Sequence, residues 1–348
     1  MEPVTEPSRE RDPAPVKPRS NINDVASLAG VSRQTVSNVL NNRAGFSKAT
    51  RTRVMSAMSA LDYQPNRAAR SLRSRRTMQL GYHMPTDQLT PENAFILRFI
   101  QAIVRAAAAK GRHILVFTEE ADELEVFREL VAMRSVDGFI LSSSRVDDPR
   151  ARFLEQARIP FAMFGRTTPD LPQTWVDIDN LAAIRSAVDH LVARGFDQFA
   201  YVGYDAPNHW DLERVEGYRK ALAEHGIRAA ERSIVQVRTL ASVHEPIGRL
   251  LDRQRRPNAI VTGSDVLAAA VVGAARARGL RPGSDIAIVG FDGGFVRQMT
   301  DPVLTSVRIP VERIAVRLIE RCLHEIDAGP SGDPGVIVPT ELGAGGTA

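Results

Sequence analysis

Apolar and polar residues follow two different periods along the chain. Over residues 21–61, apolar positions recur every three or four residues, which is the repeat of short amphipathic helices. From residue 78 onward, short apolar runs alternate with longer amphipathic segments, which is the pattern of strands and helices in turn. Residues 1–20 are rich in proline and polar side chains and show neither period, so we expect a disordered tail there. The chain therefore has a small helical region followed by a larger α/β region.

Two short helices that meet in a tight corner are predicted at the start of the helical region. Asn21 can cap the first helix, Asp24 can complete a capping box, and Gly30 tolerates the left-handed conformation that ends a helix. Ser32 can cap a second helix whose apolar positions face the first, which is the spacing of a helix-turn-helix. The second helix then exposes polar side chains that can contact base edges in a DNA major groove, namely Arg33, Gln34, Ser37 and Asn38.

A third helix and a short basic segment follow. Ser47 can cap the third helix, whose apolar face closes the small core. Pro65 breaks the chain after it, and Asn66 can cap a basic segment that ends at Arg73 and has Leu72 as its one large apolar residue. Such a segment is too short and too charged to be helical alone. A basic helix that orders on a partner and carries one apolar wedge suits the minor groove of DNA.

The α/β region contains two series of alternating elements. The first series predicts strands at 79–84, 113–118, 138–142 and 161–164 and helices at 94–110, 123–134 and 150–156. The second predicts strands at 175–178, 199–203, 233–237, 259–262, 286–290 and 304–308 and helices at 180–194, 212–225, 243–253 and 266–278. A helix at 311–326 and a strand at 336–340 end the region. This alternation predicts two parallel sheets with a ligand in the crevice between their strand ends.

The positive charge of the chain is concentrated in the helical region. Residues 21–80 contain ten Lys or Arg against two Asp, a net charge of +8, whereas the whole chain of 348 residues carries only +4. Residues 1–20 are balanced at four of each sign, so the rest of the chain is at 4 − 8 = −4. A local excess of this kind is what binding to a polyanion through counterion release requires.

Composition argues against several classes of protein. A hydrophobic content of 43% is in the globular range, no apolar run can span a bilayer, and residues 1–20 lack the apolar stretch of a signal peptide. We therefore expect a cytoplasmic protein without a membrane partner. The single cysteine, Cys322, excludes an internal disulfide, the seven histidines are scattered, and neither a G-x-S-x-G elbow nor a phosphate loop is present. We expect no catalytic residue, no cofactor, no metal and no enzymatic activity.

Taken in order, the residues of the helical region resemble the LacI/GalR family of bacterial transcription regulators. The resemblance rests on NDVASLAGVS-x-x-TVS-x-VLN, then S-x-x-TR, then Y-x-PN-x-x-AR-x-L, and it extends more loosely to Leu342. It implies a DNA-binding head, a hinge helix and a two-lobe sensor like a periplasmic binding protein. It also implies that Arg33, Gln34 and Asn38 read bases and that Ser32, Thr35, Ser37 and Asn42 hold phosphates. The hinge residues that it implies at the operator are Asn66, Ala69, Leu72 and Arg73.

The same resemblance points to an effector pocket in the sensor. Asp292 directly follows a predicted strand, so its carboxylate can face the crevice and accept hydrogen bonds from two ligand hydroxyls. Asp292 and Arg214 lie in the family's G-F-D and R-x-x-G-[FYW] motifs, which implies that both contact the effector. Ser264 and Asp265 occupy the position of the family's Asn-Asp pair, where the serine departs from the pattern.

Two further residues complete the set of pocket candidates. Arg166 matches a family position at the junction of the lobes. Trp210 precedes the helix that carries Arg214 and can either stack on a sugar face or pack as a partly buried side chain. Residues 85–93 diverge from the family's P-D-x-x-N-P-F-F loop, which helps to choose the ligand.

Together, these features predict a homodimeric, operator-binding transcriptional regulator, a repressor that reads a palindrome in double-stranded DNA and responds to a small polar effector, a sugar or sugar derivative. The alternatives are a sugar-binding protein or a sugar-processing enzyme that carries a DNA-binding head; a transport-type binding protein predicts a signal peptide and no basic head. The predicted boundaries are a tail at 1–20, the helix-turn-helix at 21–65, the hinge at 66–77, a first lobe at 78–165 plus 309–328, a second lobe at 166–308 plus 335–342, and a tail at 343–348.

Overall fold

The computed structural model describes residues 20–40, 45–63, 76–86, 93–119, 122–205, 208–330, 332 and 335–348. The chain divides into two compact units, Met1–Arg75 and Arg76–Ala348. Several predicted features lie outside the described residues: the tail at 1–19, Asn42, the hinge residues Asn66, Ala69, Leu72 and Arg73, and most of the divergent loop at 85–93.

The described part of the smaller unit contains three short helices, α1 (Ile22–Ala29), α2 (Arg33–Leu40) and α3 (Lys48–Ala60). The predicted capping box is present, because Asn21 Oδ1 accepts from the Asp24 amide at 3.4 Å and the Asp24 carboxylate accepts from the Asn21 amide at 2.7 Å. Gly30 ends α1 with a φ of 63°. Buried valines from all three helices form the core, which confirms the predicted helix-turn-helix head.

The larger unit is built from two six-stranded sheets. Its strands are β1 (Gln79–His83), β2 (His113–Phe117), β3 (Gly138–Leu141), β4 (Phe161–Phe164), β5 (Trp175–Asp177), β6 (Phe199–Tyr204), β7 (Ile234–Val237), β8 (Ala259–Thr262), β9 (Ala287–Asp292), β10 (Thr305–Arg308), β11 (Gly335–Ile337) and β12 (Glu341–Gly343). The first sheet has the order β11-β5-β4-β3-β1-β2 and the second the order β12-β10-β9-β8-β6-β7. Every strand pair is parallel except β10 with β12, which confirms two mostly parallel sheets.

Eight helices accompany the two sheets in the described part of the larger unit. They are α4 (Ala94–Ala109), α5 (Glu125–Ala132), α6 (Pro149–Gln156), α7 (Asn180–Ala193), α8 (His209–Glu224), α9 (His244–Leu251), α10 (Asp265–Arg276) and α11 (Val311–Ala328). The chain passes between the lobes three times, after β5, after β10 and after β11, and α11 returns to pack against α4 and the first sheet. No helix within these described ranges has the length and apolar character needed to cross a membrane.

The topology corrects two of the predicted lobe assignments. Trp175–Asp177 was expected to open the second lobe, but it pairs in parallel with β4 of the first sheet. The strand predicted at 336–340 was expected in the second lobe, but its structured part, Gly335–Ile337, pairs with β5 in the first. Both expectations were wrong because a short apolar run predicts a strand without identifying its neighbour, and β4 connects to β5 without a helix.

The predicted tail at 343–348 is also corrected, because these residues pack along the second sheet. The Ile288 amide donates to the Thr347 carbonyl at 2.8 Å, and the Thr305 amide donates to Thr347 Oγ1 at 2.9 Å. The glycines in this segment suggested a loop, but they allow its backbone to pack closely against that of the second sheet. A Cβ at Gly345 would lie only 2.3 Å from the carbonyl carbon of Leu304.

A fully buried ion pair stabilises the first lobe near the carboxyl ends of its strands. Arg150 is 0% exposed, and its Nε and Nη2 donate to the Asp148 carboxylate at 2.9 and 2.6 Å. Arg150 also donates to the Ser142 carbonyl at 2.9 Å and lies 3.1 Å from His83 Nδ1. A buried guanidinium needs this complete set of partners, because a buried charge without them is strongly destabilising.

We predict that Asp148→Ala lowers the free energy of unfolding by about 3–5 kcal/mol, because it removes the closest carboxylate partner of the buried Arg150 charge and leaves only Glu123 at 3.5 Å. Both tryptophans of the chain, Trp175 and Trp210, lie in the larger unit, so their fluorescence during urea unfolding reports this transition. The control is Asp147→Asn, which removes the charge of an exposed partner of Arg152, keeps a residue that tolerates the left-handed φ of 59°, and should cost far less. Equal losses in the two variants would contradict the prediction.

Candidate functional site

A cavity of about 650 Å³ lies between the two lobes. Its lining includes residues at or just after the carboxyl ends of strands in both sheets, such as Phe164, Tyr204 and Asp292. Ile178 and Ile309, which follow two of the passages between the lobes, also line it. This is the crevice in which open parallel sheets bind ligands, and its volume is in the range of small-molecule sites.

Arg214, on α8, lies in the wall contributed by the second lobe. Its Nε donates to Asn180 Oδ1 at 3.0 Å, and its Nη1 donates to the Gly263 carbonyl at 2.7 Å. The guanidinium carbon lies 3.7 Å from the centroid of the Phe291 ring and 4.4 Å from that of Trp210. Burial lowers the pKa of Arg214, and the Asp292 carboxylate offsets part of this effect. These contacts engage Nε and Nη1 and fix the guanidinium plane, and no hydrogen bond joins Nη2 to a described residue.

Asp292 ends β9 and lines the same cavity. Its φ of 111° is unusual for a residue with a side chain and marks a strained turn at the end of the strand. Burial and the nearby Asp265 carboxylate raise the pKa of Asp292, whereas Arg214 lowers it. In its ionised form, this half-buried carboxylate is a strong acceptor for hydroxyl donors supplied by a ligand.

The structure brings two more of the predicted residues to the cavity. Trp210 lines it and packs against Arg214, so its two proposed roles are compatible. Ser264 lines it as well, and its Oγ caps α10 by accepting from the Leu267 amide at 3.2 Å. Together with Asp292 and Arg214, four of the six predicted pocket residues therefore meet in one place.

Asp265 and Arg166 are not among the residues that line the cavity. The Asp265 carboxylate accepts from Ser306 Oγ at 2.5 Å and from the Gly294 amide at 2.9 Å, so it holds the turn that follows Asp292. Arg166 forms ion pairs with Asp177 at 2.8 Å and Glu213 at 2.7 Å. Both residues were expected to contact the effector. The structure instead shows their side chains engaged by partners within the protein.

Two contacts near the cavity join the lobes directly. Arg166 follows β4 of the first lobe and Glu213 belongs to α8 of the second, so their ion pair crosses between them. The His209 amide of the second lobe also donates to the Ser144 carbonyl of the first at 3.0 Å. The structure therefore shows an arrangement in which the lobes are in contact beside the cavity.

Several lining residues were not identified from the sequence. They are Phe95, Phe164, Tyr204, Asn208 and Arg238. Phe164, Tyr204 and Arg238 lie at or directly after the end of a strand. Their position relative to the predicted strands could therefore have identified them as candidates for the cavity wall. Phe95 and Phe164 stack with their ring centroids 6.0 Å apart, which makes this part of the first-lobe wall aromatic. No group of three or more His, Cys, Asp or Glu able to hold a metal ion occurs among the residues with described positions.

The candidate DNA-reading surface lies on α2. Arg33 and Gln34 are exposed as predicted, and Gln34 Nε2 donates to Asn38 Oδ1 at 3.0 Å. Ser32 Oγ caps the helix by accepting from the Thr35 amide at 3.1 Å. Ser37 was expected to be exposed but is buried, because it lies beside Val36 on the packed side of the helix. The base-reading candidates in the described part of the helix are therefore Arg33, Gln34 and Asn38.

Comparison with known proteins covers both units. Residues 21–66 match the family described as "Bacterial regulatory proteins, lacI family", and residues 188–348 match "Periplasmic binding protein-like domain". The transcriptional regulator DegA of Bacillus subtilis (strain 168) is 33% identical over 303 residues, which are 85% of this chain and 88% of DegA.

Solved structures agree with this assignment. A complex of the transcriptional regulator CelR with cellobiose has a TM-score of 0.73 at 29% identity and covers 95% of this chain and 100% of that chain. The Lac repressor dimer bound to operator and the anti-inducer ONPF has a TM-score of 0.80 at 25% identity and covers 95% and 99%. The chain thus belongs to the LacI family of bacterial regulatory proteins, and it is a DNA-binding transcriptional regulator rather than an enzyme.

Proposed function

We propose that this protein is a homodimeric repressor whose affinity for a palindromic operator is controlled by a sugar or sugar derivative bound between the lobes. The observation that carries the proposal is the cavity in which Asp292, Arg214, Trp210 and Ser264 meet, in a chain that also has a helix-turn-helix. Its DNA partner is chromosomal, so we propose that it acts in the cytoplasm.

The chemistry of the cavity wall supports a ligand rich in hydroxyl groups. The Asp292 carboxylate can accept from two neighbouring hydroxyls, while Arg214 Nη2 can donate to a ring oxygen. Trp210 and Phe164 offer aromatic faces to the apolar side of a sugar ring. The cellobiose complex of the similar regulator CelR supports the same class of ligand.

Exposed apolar residues on the second lobe support self-association. Phe295 and Met299 are each 70% exposed, and Val303 follows them in the same stretch. Large apolar side chains that cluster at a surface mark an interaction site. A two-fold dimer carries two copies of α2 and therefore reads two half-sites in inverted orientation. The solved Lac repressor dimer on its operator supports this arrangement.

Control by the effector follows from a difference in affinity between lobe arrangements. The Arg166–Glu213 pair and the Ser144–His209 hydrogen bond exist only while the lobes are in contact there. A ligand that bridges the two walls favours this arrangement by its differential affinity and shifts the population toward it. If the dimer binds the operator with different affinity when the lobes are in contact and when they are separated, this shift in population changes operator affinity by a corresponding amount.

The proposal is tested by selecting bound sequences from randomised duplexes at fixed salt, and then repeating the binding with a carbohydrate panel. Enrichment of a palindrome whose binding is weakened by one compound supports both parts of the proposal. Salt-dependent binding without sequence preference, unchanged by every carbohydrate, would contradict it.

On the DNA side, we predict that Gln34→Ala relaxes the preference at one position of each half-site at a cost of about 1–3 kcal/mol, because it removes a side chain that can contact a base edge. The measurement is a titration of single-base variants of the selected operator. The control Ser56→Ala changes an exposed residue of α3 and should preserve the ranking of variants. An unchanged ranking with Gln34→Ala would show that this side chain does not read a base.

On the effector side, Asp292→Asn is expected to weaken carbohydrate binding about tenfold or more, since hydrogen bonds to a charged acceptor contribute roughly 1.5–3 kcal/mol each. Calorimetric titration measures the change. Asp252→Asn, which alters an exposed partner of Arg278 at the end of α9, should bind as the parent does. Normal affinity in Asp292→Asn would exclude this carboxylate from the site.

Effector affinity is also expected to rise with pH. Burial and Asp265 raise the pKa of Asp292, so part of the free protein holds this carboxyl protonated above the ordinary pKa of about 3.9. Ligand hydroxyls that donate to the ionised form favour deprotonation, so binding releases a proton and strengthens as pH rises through the raised pKa of Asp292. Titrations across this range should show the slope in the parent protein and a flat profile in Asp292→Asn. A slope of the same size in both would assign the proton to another group.

A further inference from the structure

Arg238 is a second cation in the wall of the cavity. It directly follows β7, the edge strand of the second sheet, and it is exposed. The neighbouring Asp205 amide donates to the Val237 carbonyl at 2.9 Å, which holds the chain at the point where Arg238 leaves the strand. Arg238 and the next residue, Thr239, both line the cavity.

The guanidinium of Arg238 differs from those of the other arginines at this site in having no hydrogen-bond or ion-pair partner among the residues that the structure describes. Arg214 is held by Asn180 and the Gly263 carbonyl, and Arg166 is paired with two carboxylates. No described residue forms a hydrogen bond or ion pair with Arg238, and Asp205 at the end of the adjacent strand is not within ion-pair distance. Its charge is therefore available to whatever occupies the cavity.

Sheet order fixes the distance between Arg238 and Asp292. Asp292 ends β9, and the order β9-β8-β6-β7 places three strand intervals between it and the end of β7. With strands about 4.8 Å apart, the two positions are separated by about 14 Å along one edge of the sheet. A pyranose ring with bonds of about 1.5 Å measures only about 6 Å between opposite oxygens. A ring held at Asp292 thus leaves room for a substituent or a second unit toward Arg238.

We propose that the effector of this chain is an acidic carbohydrate, whose hydroxyls contact Asp292 while a carboxylate or phosphate group is bound by Arg238 at the β7 end of the cavity. The inference rests on the proposed function and specifies its ligand. A neutral substituent that covers Arg238 displaces water from the guanidinium and provides no equivalent hydrogen bond to the charge. An anionic substituent provides a charge-assisted hydrogen bond in place of that water.

The experiment compares neutral and acidic members of matched pairs by calorimetric titration of the full-length protein. The pairs are glucose with glucuronate, glucose with glucose 6-phosphate, and cellobiose with the disaccharide in which its terminal ring is a uronate. The acidic member of at least one pair should bind about tenfold more tightly than the neutral member, as one charge-assisted hydrogen bond implies. The pair that shows this preference identifies the anion as carboxylate or phosphate.

Variants assign the preference to Arg238. Arg238→Gln should remove this preference, and its thermal unfolding midpoint should match that of the parent, which shows that the variant is folded. Arg255→Gln, an exposed arginine before β8 that does not line the cavity, should keep the preference. Asp205→Asn should increase it, since it removes a like charge near the bound anion.

The outcomes separate this inference from the proposed function. Equal binding of neutral and acidic members would overturn the acidic ligand and leave a neutral sugar effector. A preference that persists in Arg238→Gln would overturn the role of this residue. If no carbohydrate of either kind binds, both the inference and the sugar effector are wrong.

Discussion

The buried guanidinium of Arg214 is the interaction on which the sensor site depends. Only 6% of this residue is exposed, so the protein must replace the water that its charge has lost. Four different parts of the second lobe do so: α7 through Asn180, the end of β8 through a carbonyl, β9 through Phe291, and α8 itself through Trp210. Because all four elements contact the same planar group, their relative positions are fixed. Asp292 and Ser264, which lie on or next to these elements, are therefore held in place at the cavity.

Topology supplies the second wall of the site. The chain leaves the first lobe after Asp177 and returns after Arg308, and residues beside both passages line the cavity. Parallel strands direct their carboxyl ends to the same edge, so two such sheets joined at these ends bring two sets of polar loops together. The contribution of the first lobe near Phe95 and Phe164 is aromatic, whereas the second lobe contributes charges and amides. A ligand with one polar and one apolar face, such as a sugar ring, matches this difference.

Local chemistry in the sequence predicted much of this fold. The ends of α1 and α3 follow from Asn21, Gly30 and Ser47, since each residue satisfies backbone groups within its own turn. The placement of Trp175–Asp177 could not be predicted, because an apolar run reads the same in either sheet. Residues 343–348 resembled a tail because glycine marks both loops and close packing, and only the tertiary structure distinguishes the two.

The site was predictable to the extent that its residues lie at strand ends. Asp292 satisfied that condition, and so did Arg238, whose charge has meaning only once the sheet order places it on the cavity edge. Arg166 shows the opposite case, because a sequence does not show that an arginine already has Asp177 and Glu213 as partners. The position of a charge can be inferred from periodicity, but whether it is free to bind a ligand depends on long-range pairing.

A polar network links the contact between the lobes to the cavity. Arg166 pairs with Glu213 at 2.7 Å, Glu213 accepts from Asn180 Nδ2 at 3.0 Å, and Asn180 accepts from Arg214 at 3.0 Å. Burial alone would raise the pKa of Glu213, but hydrogen bonds from His209 and Asn180 and the charge of Arg166 lower it. Glu213 is therefore held in its ionised form, and separating the lobes deprives that partly buried charge of its first-lobe partner. The side-chain amide of Asn180 forms hydrogen bonds with both Glu213 and Arg214. A ligand that draws Arg214 toward itself therefore shifts the amide that also orients the Glu213 carboxylate, which pairs with the first lobe.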